Sequence, residues 1–421
     1  MRARSRRRKA RPDSGGSPSG AGLSVPCEPD SGSTSPLRLL ERAALQMVEA
    51  EQPQRTQVPD FDTAIDIQRW VSNATDVVPS ARKDIYLPTA LKSSAFAAHV
   101  EALPDCDDVH QPRFPLTHAV LDPDGSDVAI VGSCDKTSQT HVVVAVSTEH
   151  KRQRRPDPLI FGVGLCPDYV QDLHWVPGSR QVVVAHNFQA SVFTVSDRFA
   201  IDFQTSLTLA HTDEIREMAF CPSAPNLFAS GGFDRILCAH DLNIGTRCTT
   251  ASVRIDEIIG SVSWDRTDVH GVAITTDDGR FMMYDTRVKL RRPTMCVDSQ
   301  KVQLYTHTWC NAHDVLLGFG DGTIQHTDLR TCRFLHDIRD PHVAAIDRLA
   351  VHGQSRTLLV SGYSDYTLWT LNNIDNRMSA RSRGSLSARD SCTRAVFGRL
   401  PGDVICTNDL GFIGIHRHPA P

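Results

Sequence analysis

The stretch His211 to Leu242, HTDEIREMAFCPSAPNLFASGGFDRILCAHDL, decides the fold. An alternating apolar strand runs through Ile215, Met218 and Phe220 and stops at the turn Cys221-Pro222. A second strand, Leu227-Phe228-Ala229-Ser230, leads into a Gly-Gly-Phe-Asp turn, and a third, Ile236 to His240, ends in Asp241-Leu242. Period-two apolar runs separated by Gly, Pro, Asn and Asp specify an antiparallel meander, because strand side chains alternate faces and turns need residues that tolerate unusual backbone angles. A single sheet of this kind cannot cover its own faces, so the reading depends on recurrence.

The pattern recurs in spacing more than in identity. Asp256 to Arg287 contains SVSWDRTDVHGVAITTDDGRFMMYDTR, and Gln300 to Arg330 contains QLYTHTWCNAHDVLLGFGDGTIQHTDLR. His342 to Leu371 follows with VSGYSDYTLWTL, and looser copies lie at Phe114 to Val146, Tyr169 to Val195 and Cys392 to His416. About 300 residues shared among seven units gives roughly 43 each, inside the ~40–45 expected of blades that cover one another in a ring. The predicted fold class is all-β, a seven-bladed β-propeller. Three obvious strands precede the end of the last unit, so its fourth must come from upstream of the first, from Lys83 to Leu87 or from Asp105 to Phe114.

The last 305 or so residues resemble the WD-repeat family. The resemblance rests on His211 at the start of a blade, the small-residue strand ending in Ser230, and the turn residue Asp234, which in that family hydrogen-bond one another. The Trp-Asp pair that usually closes the third strand is replaced by His240-Asp241, Tyr284-Asp285 and Thr327-Asp328. Two consecutive third strands end in Asp-x-Arg, at Tyr284-Asp285-Thr286-Arg287 and at Asp328-Leu329-Arg330. These resemble the motif by which WD-repeat substrate receptors dock onto the damaged-DNA-binding adaptor of cullin–RING ubiquitin ligases. The resemblance implies a partner-binding role for Tyr284, Asp285, Arg287, Asp328 and Arg330. An intrablade ion pair is the competing role for the same residues.

Composition sets the outer bounds. The chain has 421 residues, a formal net charge of -4, 40% hydrophobic and 22% charged residues, which suits a large soluble domain with an extension. No apolar run approaches the ~18 residues of a membrane helix, so no membrane insertion is expected. The twelve cysteines form no C-x-x-C pair, which leaves no zinc or disulfide framework in the spacing and points to a reducing compartment. No phosphate-binding loop, nucleophile elbow or HExxH occurs, and the histidines are dispersed, His416-x-His418 and the pair His307 and His313 included. The expectation is a non-enzyme with no cofactor and no metal.

Three segments divide the chain. Residues 1–35 hold the basic run Arg2 to Arg11 and then a Ser, Gly and Pro-rich stretch, too poor in apolar surface to fold. This basic tail favours the nucleus over the cytoplasm. Residues 36–110 read as a helical extension with helices starting near Ser35-Pro36, Asp62 and Pro88, the last continuing to Pro104. Residues 111–421 are the propeller. Within it, three third-to-fourth-strand connections are basic: Lys151, Arg152, Arg154 and Arg155; Arg287, Lys289, Arg291 and Arg292; and Arg377, Arg381 and Arg383. A positive rim on a slightly acidic protein favours an acidic partner. The function expected is a scaffold, monomeric within a hetero-complex, that binds other proteins as a ligase substrate receptor. The alternative is a nuclear chromatin- or RNA-associated scaffold.

Overall fold

The computed structural model describes residues 79–97, 114–149, 159–340, 343–352, 355–363, 365–371, 378–385, 393–400 and 402–418. They form seven four-stranded antiparallel sheets. Blade 1 comprises Val120–Leu121, Val128–Gly132, His141–Ser147 and Ile160–Cys166, and blade 2 Val170–Trp175, Gln181–His186, Gln189–Val195 and Ile201–Leu207. Blade 3 follows with Ile215–Cys221, Ala224–Gly232, Ile236–Asp241 and Thr249–Arg254, and blade 4 with Ile259–Trp264, Gly271–Thr276, Arg280–Asp285 and Pro293–Asp298. Blade 5 is Leu304–Trp309, Asp314–Phe319, Thr323–Asp328 and Arg333–Arg339, and blade 6 is Ile346–His352, Thr357–Gly362, Asp365–Leu371 and Met378–Ser385. Blade 7 takes three strands from the end of the chain, Thr393–Phe397, Asp403–Asn408 and Phe412–Arg417, and its fourth, Ala81–Tyr86, from the beginning.

Each blade buries both faces, and the apolar residues sort accordingly. In Gln181–His186, Val182 and Val184 pack toward blade 1 with Val170 and Phe193, whereas Val183 and Ala185 pack toward blade 3 with Ile215 and Phe228. Side-chain alternation along one strand therefore feeds two different interblade layers. Seven such layers exist, one for each pair of adjacent blades around the ring. The second and third strands are buried on both sides and read as unbroken apolar runs such as Val142-Val143-Val144-Ala145-Val146. Tight turns complete the meanders. At Asp277-Asp278-Gly279 the glycine has φ +91°, and a Cβ there would lie 1.5 Å from the Lys301 carbonyl oxygen, so only glycine fits.

Ring closure selects the first of the two upstream donors. Ala81–Tyr86 pairs antiparallel with Phe412–Arg417, with Ile85 opposite Ile413 and Lys83 opposite Ile415. The propeller thus takes one strand from within the 36–110 segment. A helix follows at once, Leu87–Lys92, started by Pro88 and anchored by the buried Leu87 and Leu91. It is shorter than the expected run to Pro104, because Ser93 and Ser94 turn their hydroxyls onto the Ala90 and Leu91 carbonyls and end it. The two earlier helices and the basic tail lie outside the described residues.

Arg381 and Arg383 require a correction: they lie in the fourth strand of blade 6, not in a loop. The fourth strand is outermost, so Met378–Ser385 carries no apolar alternation that would have marked it.

Ile85 is buried against Ile413 and Ile415 in the layer between blades 7 and 1. Replacing it with Asp puts an unpaired carboxylate into that layer and should cost about 3 kcal/mol in urea unfolding, because a charge without a partner loses its hydration.

Candidate functional site

The two Asp-x-Arg sequences fall on adjacent blades and on one face, that of the third-to-fourth-strand connections. In blade 4 the third strand ends at Asp285, whose carboxylate caps the single 3-10 turn Thr286–Val288 by accepting from the Arg287 N–H. The Arg287 guanidinium folds back onto the same carboxylate, Nε at 3.0 Å and Nη2 at 2.7 Å. Blade 5 repeats this at Asp328, which accepts from the Arg330 N–H at 2.9 Å and from its Nε and Nη2 at 3.1 Å. These contacts hold both carboxylates below their ordinary range, the arginine hydrogen bonds being the largest cause. The arginines remain exposed, with 59% of the Arg287 side chain and 63% of the Arg330 side chain open to solvent. Tyr284 is buried with its ring between blades 3 and 4, so it anchors the loop and offers no surface.

The rest of the blade 4 connection is shaped by one plug. Lys289 and Leu290 both adopt left-handed backbone angles, φ 56° and 57°, an arrangement side chains resist unless packing enforces it. Leu290 supplies the packing, fully buried between blades 3 and 4 beside Trp264 and Tyr284. Lys289, Arg291 and Arg292 are left exposed and meet no carboxylate among the described residues. Lys151, Arg152, Arg154 and Arg155 lie outside the described residues. The sequence reading missed Ile244 and Arg247 in the blade 3 connection, and Val288 in blade 4, all exposed. Ile244 and Val288 share their loops with Leu242 and Leu290, so no sequence signal separates the exposed aliphatic residues from the packed ones.

The central channel holds a second polar cluster. Five inner strands carry a register shift just before their third residue, at Asp172, Glu217, Ser261, Thr306 and Arg348. The shifted side chain reaches the next blade: Asp172 accepts from the Met218 N–H at 2.6 Å, Glu217 from the Val262 N–H at 2.8 Å, and Thr306 from the Leu349 N–H at 3.4 Å. Arg348 of blade 6 crosses the ring to Glu217 of blade 3, Nη2 to Oε1 at 2.8 Å. His118 and His174 lie 3.4 and 3.1 Å from Asp172. Burial would raise the Asp172 carboxyl, but His174, His118 and Arg348 hold it well below the usual range. His118, Asp172 and His174 have the types of a metal-ligand set. However, Asp172 is already occupied by the Leu173 and Met218 N–H groups and His174, and Arg348 opposes further positive charge.

Buried histidines elsewhere are fixed in hydrogen-bonded networks. His211 places Nδ1 3.0 Å from Asp234 and Nε2 2.7 Å from Ser230, whose hydroxyl is also 2.7 Å from His240 Nε2. His307 lies between Ser261 and Ser263, with the Trp309 indole N–H donating to Ser263. Burial lowers His307 to about 3, which disqualifies it as a base for either serine near neutrality. His416 and His418 both meet the Tyr366 hydroxyl, at 2.8 and 2.6 Å.

No known protein-family model matches the chain, and no curated protein matches it.

Unfolded imidazoles take up protons below about pH 6.5, whereas His307 does so only near 3, so its stabilising share is complete above pH 6.5 and is lost as pH falls. Between pH 7 and pH 5 that share is about 2 kcal/mol, and His307→Gln should reduce the pH-dependent loss in urea unfolding by this amount. Arg348→Met leaves Glu217 without its cation in the channel and should lower unfolding free energy by about 2 to 4 kcal/mol. A double-mutant cycle with Glu217→Gln should recover part of that loss.

Proposed function

We propose that this chain is a non-catalytic scaffold of the WD-repeat type that binds proteins through the face carrying its third-to-fourth-strand connections, and that it acts as a substrate receptor of a cullin–RING ubiquitin ligase. A β-propeller is commonly an interaction scaffold: rigid sheets hold loops in fixed positions, so binding residues need little ordering. The observation carrying the sharper reading is the pair of exposed arginines, Arg287 and Arg330, on neighbouring blades 4 and 5, each held in one orientation by its own Asp. A guanidinium oriented in this way retains N–H groups for a partner's carboxylate or carbonyl, which a lysine could not present in the same plane. No cofactor or metal enters this reading, and the basic tail argues for a nuclear location.

A second reading, a chromatin- or RNA-associated scaffold, draws on Lys289, Arg291 and Arg292, whose charges no carboxylate of the described residues answers. It entails nucleic-acid binding that weakens steeply with salt.

Arg287→Ala with Arg330→Ala should abolish pulldown of the ligase adaptor while the thermal unfolding midpoint stays put, because both side chains are exposed. Adaptor capture unchanged by the double substitution, or absent from the unsubstituted protein, rejects the receptor reading.

A further inference from the structure

The third-to-fourth-strand connections of blades 3 and 4 are built alike. In each, an aspartate ends the third strand and caps a one-turn 3-10 helix, Leu242–Ile244 after Asp241 and Thr286–Val288 after Asp285. The third residue of each turn is an aliphatic side chain turned to solvent, Ile244 at 60% exposure and Val288 at 49%. Blades 3 and 4 are neighbours in the ring, joined by a shared apolar layer that includes Leu290. Equivalent aliphatic knobs therefore stand on two neighbouring blades, on the same face of the ring.

The charge around them is unbalanced. Asp241 is taken by the Asn226 amide and the Asn243 N–H, and Asp285 by Arg287. By contrast, Arg247, Lys289, Arg291 and Arg292 are exposed and have no carboxylate partner among the described residues. This cationic border lies on a chain whose formal net charge is -4. The border asks for carboxylates or phosphates; the aliphatic pair distinguishes them. A phosphodiester backbone gains nothing from exposed Ile and Val, whereas an amphipathic protein segment removes them from water.

We propose that this face of blades 3 and 4 docks an acidic amphipathic segment of a partner protein, its apolar side on Ile244 and Val288 and its carboxylates on Arg247, Lys289, Arg291 and Arg292. The proposal rests on the reading of this face as the docking face and adds the chemistry of what docks. The capped turns and the Leu290 plug hold the surface in place before a partner arrives, so little ordering opposes binding. The cations set the approach and its salt dependence, and the aliphatic pair holds the bound state.

The test measures fluorescence anisotropy with the full chain and three labelled probes: a Glu/Leu amphipathic helical peptide, the same peptide with every Leu replaced by Ser, and duplex DNA. The amphipathic peptide should bind about tenfold more tightly than its serine counterpart. Lys289→Glu, Arg291→Glu and Arg292→Glu together should weaken it by about tenfold or more. Ile244→Ser with Val288→Ser should erase the preference between the two peptides. DNA binding as tight as the amphipathic peptide, equal binding of the two peptides, or indifference to the triple reversal overturns the proposal. Should a variant melt early, hydrogen exchange of the unsubstituted protein with the amphipathic peptide decides instead. Protection must then fall on residues 242–248 and 286–292, and protection elsewhere overturns the proposal. None of these variants alters Arg287 or Arg330. Peptide binding that persists in a protein failing to capture the ligase adaptor therefore leaves this inference standing and removes only the receptor reading.

Discussion

Every sheet among the described residues is apolar on both faces, and that constraint governs the rest. A strand such as Gln181–His186 sends Val182 and Val184 one way and Val183 and Ala185 the other, so a blade is stable only between two others. A stack with ends would leave two apolar faces in water; a ring leaves none. Seven layers of similar make-up meet this demand. The polar channel residues reinforce it, since Asp172, Glu217 and Thr306 each supply the acceptor that the neighbouring blade's inner N–H group would otherwise lack.

Because the frame is rigid, the chemistry of the molecule is displaced to its loops, and those loops are themselves braced. Asp241, Asp285 and Asp328 each close a turn with their own carboxylates, and Leu290 and Leu329 insert between blades as anchors. Positive charge remains unanswered on one side of blades 3 and 4. The crossing of Arg348 to Glu217 places a charged bridge over the channel.

The repeat plan was legible because it is local: strand alternation, Pro222, the Asp-Gly turn at Asp278-Gly279 and the recurring length all follow from short-range chemistry. The choice of closing strand was not, since Ala81–Tyr86 fully buries only Ile85 and an outermost strand writes little pattern into its residues. The same weakness made Arg381 and Arg383 look like loop. Asp285, Arg287, Asp328 and Arg330 could be placed at strand ends from sequence, but that Tyr284 faces inward depends on the neighbouring blade. Glu217 and Arg348 lie 131 residues apart and meet only because the ring has seven members. Ile244 and Val288 gain meaning only once their turns are seen to be equivalent.

Pairing the first described strand with the last has a bearing on biosynthesis. Ser80 bonds to Arg417, 337 residues further along. At ribosomal speeds of about 5 to 20 residues per second, the upstream strand waits roughly twenty seconds to a minute for its mate to be made. During that interval the growing array has two uncovered ends, one of them lengthening blade by blade. Apolar surface therefore stays open until the last blade is made, and premature termination anywhere before blade 7 yields a product with an apolar wall and no means of hiding it.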